Sequence, residues 1–458
     1  MSKPHWLIPS QPVETYQEYL EQYQGVSPIL KAQAMGADAV ITELKKSGLR
    51  GRGGAGFPAA AKWDTVRKDR CPTHAVVCNA AEGEPGTFKD RYMIRKNPYP
   101  LLEGVRIAAR VIGTQTIRIG IKESFKREVE RLRQALSELK ALGLFEGVDI
   151  QIILGPESYL FGEEKGLLQV VDGIGPFPRE AHYPPYEWGL QPTITSPNPA
   201  LVSNAETFSH VPSIIHYGGD SFHQIGTPDT PGTIILTLCG DIQKPGIYEV
   251  PTGTTLNWAV MNLAGGPLPG RKLKAILSGV SVPVILPAQF ETPLDFGSMR
   301  KIGSGLGSAG FIIMDDQTNI PRVAQAAARF LFVESCGQCP SCKMELNLAS
   351  TTLDQLIDQA VQGSLTVELK NQLLERVKYG VMSAPQGNRC YLPTGAKVVV
   401  SSLMQAFHDE FDQLVQNFSN PRYLIPKIID YDESKHVFVY DEKQWLKTPD
   451  WSYEYSHA

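Results

Sequence analysis

Cys336, Cys339 and Cys342 stand two residues apart from one another in the stretch ESCGQCPSCK, and Cys390 follows at a distance. Thiolates at that spacing wrap one side of a polynuclear object and a remote fourth closes it, which is the bacterial-type pattern for a [4Fe–4S] cluster. Structural zinc usually takes its ligands as two separated pairs, so three together and one remote favour iron–sulfur over zinc. Buried, unligated thiols are the plain alternative, more open for Cys390 than for the triplet. Cys71, Cys78 and Cys239 lie in other parts of the chain and read as ordinary residues.

A second chemistry is suggested by KSGLRGRGGAGFP, residues 46–58, where Gly48, Gly51, Gly53, Gly54 and Gly56 surround Arg50 and Arg52. Glycine permits positive φ and close approach, so backbone N–H groups and guanidinium forks there could cradle a phosphate; a flexible surface loop is the plain alternative. The letters from Gly51 to Gly56 also fit G-x-G-x-x-G, but that fingerprint requires a preceding strand. Residues 35–47 read instead as a helix ending in lysines. A phosphate loop survives this test; the ordinary dinucleotide fold does not.

Elements must position these groups. From about residue 75 to 155, apolar runs at 74–79, 116–121 and 148–154 alternate with helical patterns at 100–113 and 125–142, which predicts a parallel sheet covered on both faces. Ligands in such sheets sit beyond the carboxyl ends of the strands. The segments Asn79-AAEGEPG and Tyr159-LFGEE fall there. Residues 174–200, rich in proline and aromatics, read as an ordered loop or linker. Short β patterns near 233, 246, 274 and 310 surround one helix at 256–264, an α+β unit. From Asn319 the chain turns helical, and a small helical bundle is the natural packing.

With 458 residues the chain predicts two to four domains, and a net charge of −4 gives no case for nucleic acid or an anionic membrane. The absence of an apolar leader or an eighteen-residue apolar run predicts neither export nor membrane insertion, hence a cytoplasmic chain or one on the cytoplasmic face of a membrane complex. Seven cysteines is an odd count, which suits a metal site in a reducing compartment. A flavin accepts two electrons at once and an iron–sulfur cluster passes them singly, so a phosphate loop, carboxylates at strand ends and a cluster together suggest conversion of hydride transfer into one-electron flow.

The ordered motifs Gly48-LRGRGGAGFP, Asn79-AAEGEPGTFKDR, Tyr159-LFGEE, Asn204-AET, Gly240-DIQKPGIYEVP and Glu334-SCGQCPSC resemble the flavoprotein subunit of NADH:quinone oxidoreductase (complex I) and its relatives in NAD-linked hydrogenases and formate dehydrogenases. The resemblance implies an α/β multidomain chain: a Rossmann-like FMN and NADH domain (1–228), a ubiquitin-like β-grasp module of the SLBB type (229–318), a four-helix bundle holding one [4Fe–4S] cluster (319–420) and an aromatic-rich extension (421–458). It places Gly51, Gly53, Lys62, Asn79, Glu82, Gly162, Glu163 and Asn204 near FMN, with Arg52, Gly54 and Gly56 completing the glycine loop. Phe57, Glu84 and Glu164 fall to NADH, the two carboxylates as catalytic groups, and Cys336, Cys339, Cys342 and Cys390 to the cluster. The implied cofactors are FMN, NAD(H) and the cluster. The implied partners are a thioredoxin-like [2Fe–2S] subunit and a multi-cluster iron–sulfur subunit.

The chain departs from the family pattern at Ala81, usually acidic, at Lys165, usually small or threonine, at Ser203, usually asparagine, and in the loop His182-Tyr-Pro-Pro-Tyr186. A carboxylate at Glu164 predicts NADH over NADPH, with Lys165 as a cation that could erode the preference. The competing reading is an electron relay or scaffold with a degenerate nucleotide site. The extension holds eight aromatic residues; it is expected to be a docking arm for a partner, or else a hairpin packed on the chain's own surface.

Overall fold

The computed structural model describes residues 5–180, 182–416, 418 and 421–453. Four short helices, α1 (Tyr16–Glu21), α2 (Pro28–Met35), α3 (Ala37–Ser47) and α4 (Ala59–Lys68), lead into a four-stranded parallel sheet. Its strands β1 (Ala75–Ala80), β2 (Thr116–Lys122), β3 (Asp149–Gly155) and β4 (Ala200–Asn204) lie in the order β3-β2-β1-β4. Between them run α5 (Lys89–Lys96), α6 (Tyr99–Ile112), α7 (Lys126–Ala141) and α8 (Glu164–Val171), and α9 (Ala205–Tyr217) and α10 (Gly219–His223) follow.

In β1, Val76, Cys78 and Ala80 enter the main core, while Ala75 and Val77 meet Phe161, Leu167 and Leu168 on the opposite face. That two-sided burial is why the strand reads as a continuous apolar run. On the main-core face α6 crosses α9, and a Cβ at Gly104 would stand 2.0 Å from the Phe208 carbonyl oxygen, so only glycine permits this approach.

A second, mixed sheet has the order β6-β5-β8-β7, from β5 (Thr233–Gly240), β6 (Gly246–Pro251), β7 (Leu273–Ser278) and β8 (Gly310–Asp315). It carries two α-helices, α11 (Leu256–Asn262) and α12 (Phe296–Lys301), where the sequence suggested one. Glycines at 297, 303 and 305 around α12 obscure its period. Alternate residues of β5 divide between two cores: Ile234, Leu236 and Leu238 face its own helices, Ile235 and Cys239 face the first sheet's layer. Polar clamps fix that junction, with the Ile235 N–H donating to Glu206 and the Phe88 N–H to Thr237.

The helices α13 (Ile320–Val333), α14 (Pro340–Val361), α15 (Val367–Ser383) and α16 (Leu392–Ala406) pack in a closed ring, each against the one before and after. The C-terminal segment then forms an antiparallel hairpin, β9 (Ile428–Asp432) with β10 (Val437–Tyr440). It lies on the chain itself. Phe438 is buried beside Phe88 and Tyr431; Glu433 receives the Tyr92 hydroxyl and Lys96; and Arg95 pairs with Asp430 at 2.7 Å. The described part of the extension thus packs on the chain's own surface, as the hairpin alternative expects.

Candidate functional site

A cavity of about 710 Å³ opens beyond the carboxyl ends of β1 and β4. This is where the strand order reverses, with β2 on one side of β1 and β4 on the other, and its size suits a small-molecule cofactor. Gly51, Gly53, Gly54, Gly56, Phe57 and Lys62 form one wall; Asn79, Glu82, Glu84 and Asn204 form the floor; Gly162, Glu163 and Glu164 form the other wall. A Cβ at Gly162 would meet no atom within 4 Å, so the bare backbone there keeps cavity space open. Phe57 is 54% exposed at the rim.

Arg52 is the exception among the expected site residues. It is 1% exposed and turns away from the cavity, its guanidinium donating to the Pro231 carbonyl at 2.7 Å. Its backbone N–H donates to Thr207. Arg50 likewise bonds Asp229 and the Gly56 carbonyl. Both arginines brace the loop from behind, and the guanidinium part of the cradle reading is corrected; the glycine backbone alone faces the cavity.

The floor is built on register. Asn79 and Asn204 stand opposite each other across β1 and β4. Asn79 donates to the Gly162 carbonyl at 2.7 Å, and Asn204 donates to Asp90 at 2.7 Å while accepting from Lys89. Lys89 is buried between Asp90 and Glu206, both at 2.8 Å. Glu82 accepts the N–H groups of Asp90 and Arg91 at the start of α5, and burial raises its carboxyl above the ordinary range. Lys89 and Asp90 line the cavity and Glu206 backs Lys89; none of the three stood out in the sequence, although Lys89 and Asp90 lie inside the motif running from Asn79 and Glu206 inside the one running from Asn204.

Glu84 accepts the Tyr159 hydroxyl at 2.6 Å and the Val280 N–H at 2.7 Å, which ties the floor to the second sheet's loops. Glu163 caps α8, accepting from the N–H groups of Lys165 and Gly166, and burial lifts its carboxyl to about 7. Glu164 pairs with Lys62 at 2.5 Å. Lys165 does not accompany Glu164: its Nζ donates to the Arg389 carbonyl, next to Cys390. The altered loop contributes Pro184 and Pro185 to the cavity wall.

Cys336, Cys339, Cys342 and Cys390 line one void, between the start of α14 and the turn before α16. The sulfurs ring the void rather than converge: among the described residues no three Cys, His, Asp or Glu side chains meet closely enough to share one ion. Burial pushes the Cys342 thiol up to about 12 and raises Cys336 and Cys390, so ionising this set calls for a cation between them. Leu160 and Leu392 line both void and cavity, so a single layer of side chains separates the two.

Residues 44–213 match the Nuo51 FMN-binding domain, and residues 322–414 match the NADH-ubiquinone oxidoreductase-F iron-sulfur binding region. The F 2 subunit of NADH-quinone oxidoreductase in Rhizobium meliloti (strain 1021) is 36% identical over 384 residues, covering 82% of this chain and 88% of that protein. This chain belongs to the NADH-quinone oxidoreductase F family. The corresponding F protein of Rickettsia typhi (strain ATCC VR-144 / Wilmington) is 34% identical over 393 residues, 84% of this chain and 90% of that protein. Among solved structures, an NAD+-reducing [NiFe]-hydrogenase in the H2-reduced state superposes with a TM-score of 0.76 at 28% identity, over 90% of this chain and 69% of that one. Membership in the F family makes the chain an oxidoreductase of the NADH dehydrogenase kind, with FMN, a [4Fe–4S] cluster and NAD(H) as its cofactors. Among the described residues no helix is long and apolar enough to cross a membrane.

Proposed function

We propose that this chain is the electron-entry subunit of a larger complex, taking hydride from NADH onto FMN in the cavity and passing electrons singly through the four-cysteine site to partner chains. The observation that carries the reading is the shared partition: the cavity and the cysteine void meet at Leu160 and Leu392. When bound, FMN supplies the two-electron to one-electron conversion and the cluster supplies the one-electron exit. The chain's own residues do the holding. With the Gly51 and Arg52 N–H groups taken by the Phe57 carbonyl and Thr207, the backbone from Gly53 to Gly56 is what the loop offers to an anionic phosphate, and Asn79 and Asn204 fix the floor. Phe57 at the rim offers a ring face to a nicotinamide or adenine. Glu164 and Glu84 are the nucleotide's carboxylates, Glu164 rejecting a 2′-phosphate and Glu84 held in place by Tyr159. Cys336, Cys339, Cys342 and Cys390 hold the cluster.

In this reading residues 1–228 are the FMN and NADH domain, 229–318 a β-grasp of the SLBB type, 319–420 a four-helix bundle carrying the cluster and 421–458 an extension. The partners are a thioredoxin-like [2Fe–2S] subunit and a multi-cluster iron–sulfur subunit, on the cytoplasmic side of a membrane or free in the cytoplasm. One contact favours the rival relay reading: Lys62 at 2.5 Å already neutralises Glu164. Anaerobic titration of the loaded protein decides between them. We expect about four iron and four sulfide per chain and bleaching of the flavin by NADH but not NADPH. Zinc without sulfide overturns the cluster, and a flavin that neither nucleotide bleaches establishes the relay.

A further inference from the structure

Lys165, the second residue of α8, is 9% exposed. It lines the large cavity, while its Nζ donates to the carbonyl of Arg389, a residue that lines the cysteine void together with Cys390. The other charges nearby are accounted for. The Arg389 guanidinium turns to Glu180 at 3.5 Å, Lys62 is paired with Glu164, and the Glu163 carboxylate approaches Lys165 Nζ only to 4.0 Å, the outer limit of an ion pair. A buried ammonium therefore sits inside the partition between the two cofactor sites, its closest hydrogen-bond partner a neutral carbonyl.

We propose that Lys165 is a positioning residue whose charge raises the reduction potential of the cluster held by Cys336, Cys339, Cys342 and Cys390. The proposal rests on the cofactor assignment made above. A cluster gains one unit of negative charge with each electron, and a cation in a poorly solvated wall favours that more negative state. The partial offset by Glu163 leaves an effect of about tenfold in the one-electron equilibrium, which is 59 mV for a single electron.

The test is a potentiometric titration of the full, flavin- and cluster-loaded protein, followed by the electron paramagnetic resonance signal of the reduced cluster. Lys165→Gln keeps a donor for the Arg389 carbonyl and removes the charge; its midpoint should fall by about tenfold in the equilibrium. Lys165→Arg keeps the charge and should stay near wild type. Glu163→Gln keeps the oxygen that caps α8 and, titrated above the raised value of that carboxyl so that wild type is ionised, removes the opposing charge, so its midpoint should rise; this arm stands even where Lys165→Gln fails to load. A loaded cluster whose midpoint is unmoved in Lys165→Gln, an equal fall in Lys165→Arg, or no rise in Glu163→Gln overturns the proposal alone. Protein without iron and sulfide overturns the cofactor assignment itself.

Discussion

Gly162 separates occupancy from folding. Its Cβ position is empty of neighbours, so Gly162→Leu should leave the thermal unfolding midpoint of the cofactor-free chain close to wild type while projecting a side chain into the cavity. Flavin content after reconstitution should fall at least about tenfold, the factor that 1.4 kcal/mol of binding represents. Gly56 is a poor choice for the same experiment, because its φ of 64° and the Phe296 ring 2.7 Å from a Cβ make any change structural. At this scale the sequence was legible where chemistry alone dictated residue type: the glycines, the two asparagines and the cysteines. It misled where a charge is satisfied from within. Arg52 has the letters of an anion ligand but donates to the Pro231 carbonyl, and Lys165 reads as a neighbour of Glu164 but reaches the loop before Cys390. No spacing rule reveals which way a long side chain turns.

The segment from Gln444 to Tyr453 lies across the cysteine loop. Gln444 and Lys447 donate to the buried Glu334 at 2.9 and 2.6 Å, and the same carboxylate accepts the Tyr159 N–H at the cavity edge. Trp451 donates to the Ser335 carbonyl at 2.9 Å, packs edge-on against Phe332 and receives Lys343 over its ring. Trp451→Ala removes this cover, so the iron–sulfur absorbance of the variant should bleach several-fold faster in air than that of the wild type, with flavin retained. Equal bleaching rates contradict a shielding role. The aromatic density of this segment was plain in the sequence, but density shows only that apolar area needs a cover, not whose surface supplies it. Three other elements were unreadable for different reasons. Strand β4 is five residues between a proline and a cap; α9 carries Pro212 in its interior; and α5 buries Lys89, Asp90, Arg91 and Lys96, charges that ordinarily mark a solvated face.

Across the whole molecule, buried carboxyls join distant segments. Glu103 accepts from Tyr16, Tyr19 and Ser27, and Glu249 accepts from the N–H groups of Leu7 and Ile8 and from Thr233. Burial raises both carboxyls from the ordinary 4.5 to about 7. A carboxyl raised on folding contributes stability in full below its unfolded value and loses it as pH climbs through the folded value. Urea midpoints should therefore decline from about pH 5 to pH 8, and Glu103→Gln should flatten that decline; a wild-type midpoint that rises across the interval contradicts it. Glu206 acts oppositely, since against its burial Lys89 holds it at about 2, so its contribution is lost only as pH falls from 4.5 through 2. The cover over the cysteines also carries a consequence for biogenesis. Residues 444–453 leave the ribosome after every element they lie across, and α13, α14 and the turn before α16 have emerged by then. Packing of Trp451 over Gly337 is therefore the last of these contacts that synthesis can complete, and until then the thiols lack that cover.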